Sequence, residues 1–74
     1  MDLRQLRYFV GIVDEGSISH AAQRLHVAQP ALSHHVRNLE GELGVALLVR
    51  GAQGVWPTDA GRRLYERATE ILKS

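Results

Sequence analysis

Residues 18–42, ISHAAQRLHVAQPALSHHVRNLEGE, restrict the fold more than any other stretch of this 74-residue chain. Leu32, Val36, Leu39 and Leu43 recur at i, i+4, i+7 and i+11. At about 100° per residue they form one narrow apolar stripe on a helix. Pro30, Ser33, His34 and Arg37 fall on the opposite side of the same cylinder. The segment before it places Ala21, Ala22 and Leu25 on one face, and His26, Val27 and Ala28 then form a turn. Small side chains at Ala21 and Ala22 allow the close helix crossing, roughly 90–120°, of a helix-turn-helix. A helix buried on one side and bearing short polar or cationic groups on the other suits the major groove of duplex DNA, which admits an α-helix. The second helix, residues 29–43, is therefore the candidate recognition helix.

The flanking chain supports that unit. Residues 2–13 carry Leu3, Leu6, Phe9, Val10 and Val13 at helical spacing, with Asp2 as N-cap or first-turn acid. Gly16 supplies a left-handed stop and Ser17 the next N-cap. Pro30 sits in the first turn of the recognition helix, so Ala28 or Gln29 must cap it, and neither is a strong cap. Gly44 ends that helix, and Gly41 inside it costs roughly 1 kcal/mol relative to Ala with no local reason for its presence. Leu47-Leu48-Val49-Arg50 and Val55-Trp56 read as short strands around a four-residue loop, Gly51-Ala52-Gln53-Gly54. Two such strands need support from the helices. The hairpin is a wing whose tip reaches a minor groove or the DNA backbone, or which simply covers the core. Thr58 caps a last helix with Asp59 in its first turn, and Gly61 permits close approach. Leu64, Ala68, Ile71 and Leu72 give that helix one apolar stripe. Its pattern is unfinished at Ser74, so the chain is expected to be a piece of a longer protein. The expected fold is mainly α: a winged helix-turn-helix with a three-helix core and a β-hairpin wing over residues 1–57, followed by a linker helix over 58–74.

Composition excludes several function classes. There is no cysteine, hence no disulfide, thiolate metal site or cysteine nucleophile. No apolar run approaches the ~18 residues a membrane span needs, and no signal-peptide pattern is present, so a cytoplasmic protein with no membrane partner is expected. His34 and His35 point ~100° apart on a helix with no third ligand at i+4, and His20 and His26 are unpaired, so no metal is expected. No nucleophile turn or paired catalytic groups occur, which argues against an enzyme. The net charge of +1 is only a weak electrostatic hint for nucleic acid.

The string RQLRYFVGIVDEGSISHAAQRLHVAQPALSHHVRNLEGELGVALLVR, with PTDAG after it, resembles the amino-terminal domain of LysR-type transcriptional regulators. The resemblance covers essentially the whole chain and is densest over AAQRLHVAQPALSHHVRNLEGELG. It implies sequence-specific binding of a double-stranded operator, an inverted repeat, by a bacterial regulator. Within this domain no cofactor is implied. A small-molecule effector would belong to a carboxy-terminal effector domain of periplasmic-binding-protein type that this chain lacks. The resemblance also implies a homodimer seam through Leu64, Ala68, Ile71 and Leu72, and a tetramer for the full-length protein. It places base and backbone contacts at Gln29, Pro30, Ser33 and His34, with Arg37 on the same helix face. Gln29 can offer a bidentate amide to adenine, Pro30 can touch a thymine methyl, and Ser33 can meet base edges or phosphate. Ser17 and Ser19, near the start of the preceding helix, suit phosphate oxygens. In the wing Arg50 matches a common arginine of the family, and Gln53 stands at a tip position often basic in relatives. Two further departures are His34, where many relatives carry arginine or glutamine, and Ala28, where serine is frequent. The rival reading is a winged-helix module that binds protein and never touches DNA. Steep salt dependence separates the two, because phosphate contacts release counterions.

Overall fold

Asp2 starts the first helix through a reciprocal pair of hydrogen bonds. Its Oδ1 accepts from the Gln5 backbone N–H at 2.8 Å, and Gln5 Oε1 accepts from the Asp2 N–H at 3.2 Å. The capping box satisfies two donors that a helix start leaves without partners. In the computed structural model, which describes residues 1–73, the element order is α1 (Leu3–Glu15), α2 (Ile18–Leu25), α3 (Gln29–Leu43), β1 (Leu48–Gly51), β2 (Gly54–Pro57) and α4 (Asp59–Lys73). Ser74, the last residue of the expected 58–74 helix, lies outside the described residues.

The joints between helices use local chemistry. Gly16 ends α1 with φ 65°, its N–H donating to Ile12 O at 2.9 Å. Ser17 caps α2 by accepting from the His20 N–H at 3.2 Å. His26 ends α2 in the left-handed region, φ 57°, and Val27 N–H closes the turn onto Ala22 O at 3.0 Å. A left-handed conformation costs an ordinary residue roughly 1–2 kcal/mol, although His tolerates it better than most. Ala28 caps α3 without a side-chain bond, and Pro30 occupies the first turn.

Phe9, Ile12, Ala21, Ala22, Leu32, Val36 and Leu39 bring the three helices together, and Leu47, Leu48 and Val55 extend the core under the hairpin. Leu43 departs from the expected stripe: it is 42% exposed. Its angle around the helix is right, but it is the last residue of α3, and the core does not reach that final turn. Gly41 is likewise open, with nothing within 4 Å of the position its Cβ would take. Gly41→Ala is expected to stabilise the domain by about 1 kcal/mol. Thermal unfolding checks it, with Tm rising by roughly 4–8 °C. A drop in Tm would mean that the site is not open.

β1 and β2 pair antiparallel in the register Leu48↔Pro57, Val49↔Trp56, Arg50↔Val55 and Gly51↔Gly54. The connection is therefore two residues, Ala52 and Gln53, rather than the expected four, because both flanking glycines take part in the ladder. Trp56 stays 46% exposed and lies along the outer face over Gly51, where an added Cβ would come within 2.9 Å of its ring. An isolated two-stranded hairpin is marginal in water. Here it is tied at three places. Val55 N–H donates to Gly16 O at 3.1 Å, and Thr58 N–H donates to Leu47 O at 3.0 Å. The Glu40 carboxylate accepts from the N–H groups of Leu47 at 2.7 Å and Leu48 at 3.3 Å.

Thr58 has two roles. Its Oγ1 accepts from the Gly61 N–H at 3.0 Å and donates to Ala46 O at 2.7 Å, so one hydroxyl caps α4 and fixes the end of the hairpin. Further along α4, Tyr65 OH donates to Asp14 Oδ1 at 2.5 Å, joining α4 to α1. That bond raises the phenol above its usual range, with burial and the Asp14 charge adding to it.

Candidate nucleic-acid interface

The stripe that buries Leu32, Val36 and Leu39 leaves the other side of α3 to solvent. On that side Gln29, Pro30, Ser33 and Arg37 line one open depression at the start of the helix. Four of the expected contact residues are thus brought together. They supply an amide that can both donate and accept, a hydroxyl, a guanidinium and an apolar ring edge. Those are the groups that meet base edges and phosphates.

His34 is exposed on the same helix, one residue past Ser33. Its Nε2 lies 3.2 Å from Asn38 Nδ2. His35 points elsewhere: its ring meets Tyr8 of α1 edge-on, with centroids 5.2 Å apart and planes at 66°. The two adjacent imidazoles therefore serve different surfaces, one inward and one outward. Among the described residues no three His, Cys, Asp or Glu side chains group as metal ligands. Asn38 was missed by the sequence reading, although its i+4 spacing from His34 is the signal that could have found it.

Ser17 and Ser19 lie at the start of α2, their hydroxyls 3.1 Å apart. Ser17 already accepts the His20 N–H as a cap, whereas Ser19 is exposed. Arg50 and Gln53 belong to the wing and do not line the α3 depression. Arg50 shares the strand face of Leu48 and is cross-strand from Val55, while its side chain remains exposed; Gln53 is in the two-residue tip. Arg24 has a different task. Its guanidinium bonds Glu15 at 2.8 Å and stands 4.0 Å from Asp14. The Glu15 hydrogen bond leads in raising its pKa, opposed by desolvation and aided by the charges of Glu15 and Asp14.

The four residues of the α4 stripe differ in how far this chain itself covers them. Ala68 is fully buried within this chain, and Leu64 packs against the core. Leu64 is half-buried. Ile71, at 51% exposure, is the most open member of the stripe, and Leu72, like Leu64, is half-buried. α4 packs against α1 and β2, and the stripe is covered at Ala68 but open at Ile71, one turn further on.

A short helix, a tight turn, a longer helix with one polar face open and a tethered hairpin define a winged helix-turn-helix domain. Over residues 3–62 the chain matches the family described as bacterial regulatory helix-turn-helix protein, lysR family, and it belongs to that family. It is 58% identical over 73 residues to the nitrogen assimilation regulatory protein nac of Escherichia coli (strain K12), covering 99% of this chain and 24% of that protein. It is similar to the crystal structure of a BenM_DBD/catB site 1 DNA complex, with TM-score 0.96 and 48% identity over 99% of this chain and 81% of that one. It is also similar to full-length CbnR complexed with its target DNA, with TM-score 0.93 and 42% identity over 99% of this chain and 25% of that one. The chain spans about a quarter of the length of the curated relatives it matches, 24% of each of the first two. Membership places it among transcription regulators and not among enzymes.

Proposed function

We propose that this chain is the operator-reading part of a longer bacterial transcription regulator. The observation that carries this reading is the single depression lined by Gln29, Pro30, Ser33 and Arg37 on the exposed face of a helix whose opposite face is buried. α3 enters the major groove, where Gln29, Ser33 and His34 meet base edges and Pro30 makes apolar contact. Arg37, together with Ser17 and Ser19 at the start of α2, holds phosphates. Arg50 and Gln53 of the wing lie near the minor groove or backbone. Similarity to two proteins solved as DNA complexes supports the reading.

Residues 1–57 form the reading unit, and 58–74 begin a linker helix through which two copies pair by way of Ile71 and Leu72. The remainder of the protein holds a small-molecule effector domain, and the whole works as a tetramer in the cytoplasm. No helix among the described residues is long and apolar enough to cross a membrane.

The test is selection from a pool of random duplexes at two salt concentrations, with sequencing of the bound fraction. An enriched inverted repeat, with affinity falling steeply as salt rises, is the expected result. A single enriched half-site would argue against paired use. Absence of enrichment at both salts, also in a version carrying the carboxy-terminal remainder, would favour the protein-binding alternative.

A further inference from the structure

Asn38 stands one turn beyond His34 on the exposed face of α3, with its Nδ2 3.2 Å from His34 Nε2. An amide nitrogen carries hydrogens and has no acceptor capacity, so it donates and Nε2 accepts. A neutral imidazole has one ring proton. When one nitrogen accepts, the proton rests on the other. His35 flanks the same ring edge-on, with centroids 6.4 Å apart, and is itself packed on Tyr8. The His34 ring thus has a defined partner at Nε2 and a defined neighbour beside it.

We infer that Asn38 is a positioning residue for base reading: it holds His34 as the Nδ1–H tautomer, so that the ring presents one donor to the groove. A single donor matches an acceptor, guanine N7 or O6, adenine N7 or thymine O4, and is mismatched to cytosine, whose major-groove edge offers only an amino donor. Arginine offers a fork of donors and glutamine a donor with an acceptor, whereas this histidine offers one donor whose position a second side chain sets. The inference rests on the proposed entry of α3 into the major groove.

Two measurements test it. Nitrogen-15 spectra of the imidazoles in the free 74-residue chain at pH 8 distinguish the two tautomers. His34 is expected as Nδ1–H in the parent, as Nε2–H in Asn38→Ala, and as Nε2–H in Asn38→Asp, whose carboxylate only accepts. Asn38→Gln, which keeps an amide donor on a longer arm, is expected to retain the parent tautomer. Random-duplex selection supplies the second readout. The parent enriches an acceptor-bearing base at one position of each half-site, and Asn38→Ala reduces that preference about tenfold while the other positions keep theirs, in line with the usual worth of one base contact.

A parent His34 in the Nε2–H form overturns the inference, as does an Asn38→Ala variant with tautomer and base preference both unchanged. Uniform weakening on all sequences assigns the contact to phosphate and overturns base reading by this pair. A parent that enriches no sequence, also in the version carrying the carboxy-terminal remainder, overturns the operator-reading proposal and this one with it. The tautomer and single-position results bear on this inference alone.

Discussion

Gly61→Ala is expected to destabilise the domain by about 3 kcal/mol or more, the upper range for forcing atoms into a packed site. A Cβ at Gly61 would stand 2.0 Å from Leu47 O, 2.9 Å from Leu47 C and 3.2 Å from Pro57 Cβ. The first two obstacles are backbone and cannot swing aside as a flexible side chain would. Leu47 O is also the acceptor for Thr58 N–H, and Thr58 Oγ1 holds the Gly61 N–H, so moving α4 outward breaks the cap and the hairpin tie together. For a domain of this size the loss corresponds to a fall in Tm of roughly 12–24 °C, a large share of what a small domain possesses. Thermal and denaturant unfolding of Gly61→Ala beside Gly41→Ala makes the comparison internal: the same added methyl lowers stability at one site and raises it at the other. A Tm within about 3 °C of the parent for Gly61→Ala, far short of the expected shift, would show that α4 does not seat on the Leu47 carbonyl.

The second large effect concerns recognition and leaves stability alone. Replacing Ser33 and His34 together by alanine is expected to remove between tenfold and several-hundredfold of the discrimination between operator and unrelated duplex, at about 1–3 kcal/mol for a good base contact. Ser33 lines the depression with Gln29, Pro30 and Arg37, and His34 is exposed beside it. Neither belongs to the core cluster, and alanine is the best helix former, so helicity and Tm should stay near the parent values. The slope of log affinity against log salt should also hold, since neither side chain is a fixed cation neutralising a phosphate. Competition binding against operator and scrambled duplex measures the first quantity, and a salt series the second. An unchanged footprint on the operator would remove both residues from the reading surface.

The behaviour of individual residues shows which parts of this protein were legible in the chain. Asp2, Gly16 and Ser17 were legible as caps and stops because capping depends on atoms within about one turn of each other, whereas the reciprocal bond from Gln5 was not. The α3 stripe was visible for the same reason, since its period follows from helix geometry. His26 was harder. Nothing in its side chain announces a left-handed backbone, and only closure of the turn onto Ala22 O imposes it.

Other features depend on which elements meet. The carboxylate of Glu40, near the end of α3, takes the N–H groups of Leu47 and Leu48 across the bend into the hairpin, which no local pattern announces. Gly51 and Gly54 looked like loop residues; pairing in the ladder, with Gly54 at φ 123° against Gly16 O, shortened the loop to Ala52 and Gln53. Ala68 and Ile71 share one periodic stripe, but α4 lies along the core for only part of its length, so one is buried and the other faces solvent. Periodicity and capping are local and are written in the order of residues. Register, burial along a stripe and the partner of a carboxylate are set by contacts between residues distant in that order, and they exist only once the helices and the hairpin have packed.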